Sequence, residues 1–182
     1  MFISNTNRLI KTDLNLNIIK EITTSFNSYP KGITHDDSCN DWILHAIRSN
    51  VSSDNKIDVY NRNLTLVDSI LVDPAYNPYS VFYYENKIFV GTLENGNILV
   101  VQNKSISQVW TTPCTGTITS INVDQYDYIM VSCFSQKLLF LLYKNGTYTG
   151  KSFNTTYSPT FASVDQKGRI IVNGGGKLQL FF

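Results

Sequence analysis

The sequence predicts an all-β fold, a β-propeller of four-stranded antiparallel blades, because short apolar segments recur about every 41 residues in two parallel sets. The first set comprises residues 43–46, 88–91, 129–132 and 170–173. The second set keeps the same period and comprises residues 57–60, 98–101, 139–142 and 178–181. No segment has the 3.6-residue apolar period of a long amphipathic helix.

The two sets supply the second and third strands of each predicted blade. A Pro or Thr opens each first strand, at Pro30, Pro78, Thr117 and Pro159. A more polar fourth strand follows at residues 66–70, 105–110 and 147–153. Turns rich in Asn and Gly separate the strands. The inner strands are apolar throughout because neighbouring blades bury both of their faces, whereas one edge of the fourth strand meets water.

We predict a single propeller domain over residues 1–182, with blade parts at approximately 1–26, 27–72, 73–112, 113–156 and 157–182. Three blades are complete, and partial blades lie at both termini. Residues 1–3, 9–11 and 18–22 supply strands two to four of the first part, and the last part supplies strands one to three. These six strands exceed one shared four-stranded blade, which leaves a five-bladed arrangement or part of a six-bladed ring. Open blade faces would be apolar, so self-association or a fragment is expected.

Composition excludes some partners. Hydrophobic residues make up 42% of the chain, charged residues 16%, and the net charge is +1. Scattered Lys and Arg argue against nucleic acid and against a polybasic membrane surface. The N-terminal residues are too few and too polar for a signal peptide, and Ser135, Gln136 and Lys137 interrupt the most apolar stretch, so we expect no membrane span.

Five Asn-x-Ser/Thr sequons leave an extracellular location open, although their number is little above chance. They lie at Asn50, Asn63, Asn103, Asn145 and Asn154.

The cysteines follow no metal or disulfide spacing. Cys39, Cys114 and Cys133 form an odd set without a CxxC motif. Because free cysteine behaves as a small hydrophobic residue, we expect all three to be buried free thiols.

Several blades carry short motifs that resemble the NHL-repeat family. The opening motif is Pro30-Lys31-Gly32-Ile33, a Val-Asp pair occurs at Val123-Asp124, and Val164-Asp165-Gln166-Lys167-Gly168-Arg169-Ile170 follows the blade pattern most fully. Asn55-Lys56-Ile57 and Gly176-Lys177-Leu178 approximate the start of the third strand, with Lys in place of Arg. The resemblance covers nearly the whole chain and is shared with gluconolactonase-like propellers. It implies either a binding scaffold or a metal-dependent lactonase- or lyase-like enzyme.

No catalytic residue, metal ligand or cofactor is predicted. NHL-type lyases use several metal-binding histidines around the central channel, whereas this sequence has only His35 and His45, on adjacent predicted strands. We expect packed or surface histidines. An acidic turn in water explains the cluster of Asp36, Asp37 and Asp41 better than a cation site does.

The candidate ligand-binding residues are aromatic. They lie in the loops that enter each blade, or at the start of its first strand, at Tyr29, Tyr76, Tyr79, Trp110 and Tyr157. Such loops normally open onto one face of the disc, where rigid aromatic rings would hold a protein or glycan ligand. The alternative is that each ring wedges between blades. The sequence therefore favours a non-catalytic binding scaffold.

Overall fold

The computed structural model describes residues 1–5, 8–23, 28–35, 42–49, 54–165 and 167–181. The described part of the chain contains eighteen β-strands. Within these ranges, no helix has the length and apolar character needed to cross a membrane.

The strands form five antiparallel sheets, each with its strands in chain order. The first sheet contains β1 (Phe2–Asn5), β2 (Arg8–Thr12) and β3 (Ile18–Thr23). The second contains β4 (Ser28–His35), β5 (Ile43–Ser49), β6 (Lys56–Tyr60) and β7 (Leu66–Leu71). The third contains β8 (Pro78–Tyr84), β9 (Lys87–Thr92), β10 (Asn97–Gln102) and β11 (Ser105–Thr111).

The fourth sheet contains β12 (Ile118–Val123), β13 (Ile129–Cys133), β14 (Leu138–Leu142) and β15 (Tyr148–Asn154). The fifth contains β16 (Phe161–Val164), β17 (Ile170–Gly174) and β18 (Lys177–Phe181). The first strands of the last four sheets pack against one another in succession, and β1 packs against β4. In the described part of the chain, three sheets have four strands and the first and fifth have three, and this arrangement of antiparallel sheets confirms the predicted all-β propeller class.

The described residues form four apolar core clusters, one between each pair of successive sheets. Strand β9 shows why the inner strands are apolar on both faces. Phe89 packs in the cluster between the third and fourth sheets, whereas Val90 packs between the second and third. Successive side chains of a strand point to opposite faces, so each inner strand contributes to two clusters.

The glycine of the Pro-x-Gly-Ile motif is required by a close approach between sheets. A Cβ atom on Gly32 would lie 2.6 Å from the backbone nitrogen of Val81 in the next sheet. Any side chain at this position would force β4 and β8 apart. The motif therefore marks a contact between the first strands of two neighbouring sheets, which the sequence alone does not show.

A five-residue turn recurs in four sheets and explains the Val-Asp pairs. In each copy an Asp or Asn side-chain Oδ1 accepts hydrogen bonds from the backbone N–H groups two and four residues later, at 2.8–3.0 Å. The accepting residues are Asp13, Asn61, Asp124 and Asp165. The fourth residue of each turn has a positive φ. These side chains fix the hairpin by pairing backbone donors that would otherwise be unpaired.

The cysteine prediction is wrong for two of the three residues, because Cys114 and Cys133 form a disulfide. Hairpin β12–β13 pairs Ile118 with Cys133, which brings the loop before β12 beside the end of β13. The pairing depends on strand register, so a spacing rule for cysteines misses it. Cys39 lies outside the described residues.

Candidate functional site

The two ends of each sheet carry different connections. In a four-stranded antiparallel sheet, the turn from the first to the second strand and the turn from the third to the fourth lie at the same end. We call this the turn end, and the two turns the inner and outer turn. In the fourth sheet these are residues 124–128 and 143–147. The opposite, loop end carries the middle turn and the loops between sheets.

The predicted aromatic residues lie at or near the loop end, and two of them are packed. Trp110 is 8% exposed, its ring lies 5.4 Å from that of Phe89 in a tilted arrangement, and its Nε1–H donates to Gln108 Oε1 at 2.9 Å. Tyr76 packs against the cluster between the second and third sheets, and its carbonyl accepts a hydrogen bond from Asn55 Nδ2 at 2.9 Å. Such contacts are the ones expected if these rings wedge between blades.

The remaining predicted residues are distributed over different sheets. Tyr157 is exposed, its hydroxyl accepts a hydrogen bond from Lys177 Nζ at 2.9 Å, and the same ammonium group lies 4.8 Å from the ring centroid. Tyr79 is half-buried on β8. The backbone of Tyr29 pairs with Arg48 in the second sheet, and its side chain lies outside the described part of the structure.

A cavity of about 250 Å³ opens at the turn end between the fourth and fifth sheets. Its walls are mainly apolar, formed by Tyr128, Leu141, Phe153, Ile170 and Phe181. The rings of Phe153 and Phe181 meet across the two sheets at 5.9 Å. The cavity therefore presents aromatic surface from two blades to one small ligand group.

Polar groups and one exposed aromatic side chain surround this cavity. Tyr126 is 72% exposed at its mouth, and Lys151 contributes an ammonium group that has no ion-pair partner among the described residues. Asp124 Oδ1 accepts hydrogen bonds from the backbone N–H groups of Tyr126 and Tyr128, at 2.8 and 2.9 Å, and these bonds fix the inner turn. A Cβ atom on Gly168 would lie 2.5 Å from Gln125 Nε2, so the inner turns of the two sheets are in close contact there.

A charged network joins the inner turn of the fourth sheet to the third sheet. The hydroxyl of Tyr84 donates to Asp127 Oδ1 at 2.5 Å, and Lys144 Nζ contacts Glu85 at 2.7 Å and Asp127 at 3.2 Å. The hydrogen bonds from Tyr84 and Lys144 lower the pKa of Asp127, and the contact with Glu85 is the main cause of the raised pKa of Lys144. These groups fix the turn-end geometry without burying its tyrosines.

Beside this network, a shallow open depression contains Tyr126, Tyr128, Tyr143 and Asn145. The rings of Tyr128 and Tyr143 are 5.7 Å apart. Our sequence reasoning missed this tyrosine cluster because it followed the aromatics before each Pro. The available signal was the presence of tyrosines in both the inner and the outer turn of one predicted sheet, which an antiparallel topology places at the same end.

The two histidines lie in different environments. Strands β4 and β5 are adjacent, as predicted, with His35 exposed at the end of β4 and His45 fully buried on β5. Burial lowers the pKa of His45 to about 4, an effect that the negative charge of Asp58 partly opposes.

Asp58 is also buried, and it is surrounded by partners. Its Oδ1 accepts a hydrogen bond from Ser69 Oγ at 2.6 Å and lies 3.1 Å from Lys56 Nζ, while Tyr60 donates to Oδ2 at 3.3 Å. Across the described ranges, no group of three or more His, Cys, Asp or Glu side chains is placed to hold a metal ion. Asp36, Asp37 and Asp41 lie outside these ranges.

No family model and no curated protein matches the chain. The chain is similar in fold to solved structures with which it shares little sequence identity. Virginiamycin B lyase from Staphylococcus aureus has a TM-score of 0.70 at 11% identity, with 97% of this chain and 63% of that chain covered. BBS1N, crystallised in complex with ARL6DN, has a TM-score of 0.67 at 12% identity, with 99% and 60% covered.

A chain of the mitotic checkpoint complex has a TM-score of 0.73 at 7% identity, with 96% of this chain and 53% of that chain covered. The chain thus spans between half and two thirds of the length of these β-propellers. Because they include both an enzyme and proteins found in complexes, the shared fold fits either kind of function.

Proposed function

We propose that the chain is a non-catalytic, NHL-like propeller scaffold that binds a partner protein at the turn end of its fourth and fifth sheets. The supporting observation is the apolar cavity, with exposed Tyr126 at its mouth and beside it the ammonium group of Lys151, which has no ion-pair partner in the part of the chain that the structure describes. Interface energy concentrates in pockets that receive aromatic or aliphatic anchors. BBS1N, a propeller of similar shape, is itself found with a protein partner.

The size of the cavity indicates what it would receive. At about 250 Å³ it is smaller than the roughly 300–1,000 Å³ typical of sites for whole small molecules. One aromatic or aliphatic side chain fits this volume better than a free ligand of drug size. The ammonium group of Lys151 favours a carboxylate near that side chain. The expected partner segment therefore combines an apolar anchor with an acidic residue.

The test compares the two ends of the molecule with matched variants. Wild-type chain, Tyr126→Ala and Tyr157→Ala are immobilised and exposed to extract from the source cells, and the captured proteins are quantified by mass spectrometry. If binding occurs at the turn end, wild type and Tyr157→Ala should capture the same protein. The amount captured by Tyr126→Ala should be at least tenfold lower. The reverse pattern would move the site to the loop-end aromatics, with Tyr29, Tyr76, Tyr79 and Trp110 as the next positions to vary.

Failure of all three proteins to capture a partner would contradict the scaffold function. The enzymatic alternative is tested separately, by the metal content of the purified chain and a lactone-hydrolysis screen. Turnover that a chelator abolishes would replace the scaffold proposal with a lactonase- or lyase-like one.

We further propose that the chain self-associates through the outer face of the fifth sheet. Phe161, Leu178 and Leu180 are exposed on this face. At matching positions of the fourth sheet, leucines on β14 are buried against the fifth sheet, so another sheet of this kind is the surface that fits. Light scattering after size exclusion should give a dimer, and the double variant Leu178→Lys/Leu180→Lys should give a monomer. A monomeric wild type at tens of micromolar would contradict this proposal.

A further inference from the structure

Three outer turns carry an Asn-x-Ser/Thr sequence at corresponding positions. Asn63 lies in the β6–β7 turn, Asn103 in the β10–β11 turn and Asn145 in the β14–β15 turn. In the two five-residue outer turns, 61–65 and 143–147, the Asn is the third residue and the Thr is the fifth. The sequons therefore recur with the blade repeat, although their total number in the sequence is ordinary.

These asparagines are accessible in the way that glycosylation requires. Asn63, Asn103 and Asn145 are all exposed, and none of their side-chain amide nitrogens donates a hydrogen bond among the described residues. Asn55 shows the contrast, since it is fully buried and its Nδ2 donates to the carbonyl of Tyr76. The sequon amides point to solvent on turns, where a bulky glycan causes no clash with the core.

The disulfide is a second, independent observation with the same implication. Cys114 and Cys133 are both buried and are joined to each other. Disulfides persist in oxidising compartments and are rare in the cytosol, where thiols are kept reduced. N-linked glycans are likewise added to secreted chains.

We infer that this protein matures in an oxidising, glycosylating compartment and carries N-linked oligosaccharides on the outer turns of its second, third and fourth sheets. The inference does not depend on the proposed binding function. A glycan on Asn145 would border the shallow depression on the side of the third sheet, to which Lys144 connects through Glu85. Tyr126 and Tyr128 line both this depression and the cavity between the fourth and fifth sheets, so such a glycan would lie close to the cavity mouth.

The decisive experiment is peptide mapping of the protein isolated from its source cells by an antibody raised against this chain. Peptides are deglycosylated with peptide-N-glycosidase F in ¹⁸O-labelled water, which converts each glycosylated Asn into ¹⁸O-labelled Asp. We expect label at two or more of Asn63, Asn103 and Asn145, and a peptide pair linked through Cys114 and Cys133 before reduction.

The chain supplies its own control in the first sheet. Asn15 is exposed at the third position of the same five-residue turn, but the fifth residue is Asn17, which has no hydroxyl group. Asn15 should therefore stay unlabelled. Label at fewer than two of the three turns, or alkylation of Cys114 and Cys133 without reductant, would overturn the inference.

A second measurement tests whether the sequons can be glycosylated at all, independently of the compartment in which the protein naturally matures. The full chain is secreted from eukaryotic cells behind an added leader, together with Thr65→Ala, which removes one sequon and keeps Asn63. Wild type should lose one more glycan than the variant on glycosidase treatment. Folded wild type that is secreted without any glycan on these turns would show that the sites are not used, and would also contradict the inference.

Discussion

Leu139 and Leu178 occupy the same position of the repeat, and their burial is opposite. Leu139 on β14 pairs with Ser132 of the second strand and is 0% exposed, whereas Leu178 on β18 pairs with Asn173 and is 74% exposed. The fifth sheet covers Leu139. Burial at this position is therefore provided by the following sheet, and each core cluster is built from the facing sides of two successive sheets.

This relationship predicts different costs for the same substitution. Leu139→Ala should lower the free energy of unfolding by about 3 kcal/mol, because it removes a fully buried side chain and leaves a cavity. Leu178→Ala should change it by less than about 0.5 kcal/mol, as is usual for exposed positions. Urea denaturation of both variants below the concentration of any dimer measures the difference. Equal losses would show that Leu178 is covered in solution.

Loss of the disulfide should destabilise the fold. The bridge joins residues 19 apart along the chain, and chain-entropy arguments assign a loop of this size about 3 kcal/mol. The comparison uses a Cys39→Ser background, so that the third cysteine cannot exchange with the pair. Cys114→Ser/Cys133→Ser in that background should shift the urea midpoint downward, and reduction of the parent should reproduce the shift. An unchanged midpoint would mean that strand pairing alone fixes the hairpin.

As the pH is lowered, the free energy of unfolding should decrease before the carboxylates become protonated. Burial keeps His45 neutral and lowers its pKa to about 4, below the 6.5 of an unfolded chain. The unfolded state therefore binds a proton first as the pH falls below 6.5, and up to about 3 kcal/mol of stability is lost by pH 4. Asp58, Lys56 and Tyr60 surround this part of the sheet.

The measurement is the free energy of unfolding at intervals from pH 7.5 to 4.5. Wild type and His35→Gln, which alters the exposed histidine, should show the same decline. His45→Gln should show a flatter profile whatever its absolute stability. If the decline disappeared in His35→Gln, the pH dependence would come from His35, and the prediction for His45 would be wrong.

The side chain that caps the inner turn beside the cavity can be tested by a pair of substitutions. Asp124→Ala removes the acceptor for two backbone N–H groups and should cost about 1–2 kcal/mol. Asp124→Asn should be nearly neutral, because Asn61 makes the same two bonds in the second sheet. Amide chemical shifts of Tyr126 and Tyr128 should move in the first variant only. Similar shifts in both would indicate that the carboxylate charge matters.

The repeat was sufficient to predict the fold, because each blade places the same apolar segments at the same intervals. The strands Ile43–Ser49, Lys87–Thr92 and Ile129–Cys133 contain the predicted segments because burial on both faces requires continuous apolar segments. The disulfide could not be predicted in this way, since it depends on the register of one hairpin. The cavity was missed for a related reason. It forms between Phe153 and Phe181, which belong to different blades and are brought together only by packing.

The β6–β7 turn helps to attach the first sheet to the second, beside the contact between β1 and β4. Leu64 adopts a φ of 56°, uncommon for a residue with a side chain, and in doing so buries that side chain against Leu9. Lys11 and Lys20 donate to the carbonyls of Arg62 and Asn63 in the same turn. Among the described residues, the first sheet is packed against a neighbouring sheet on one side only, whereas the second to fourth sheets are packed on both sides, so its amide protons should exchange through local opening well before those of the central blades.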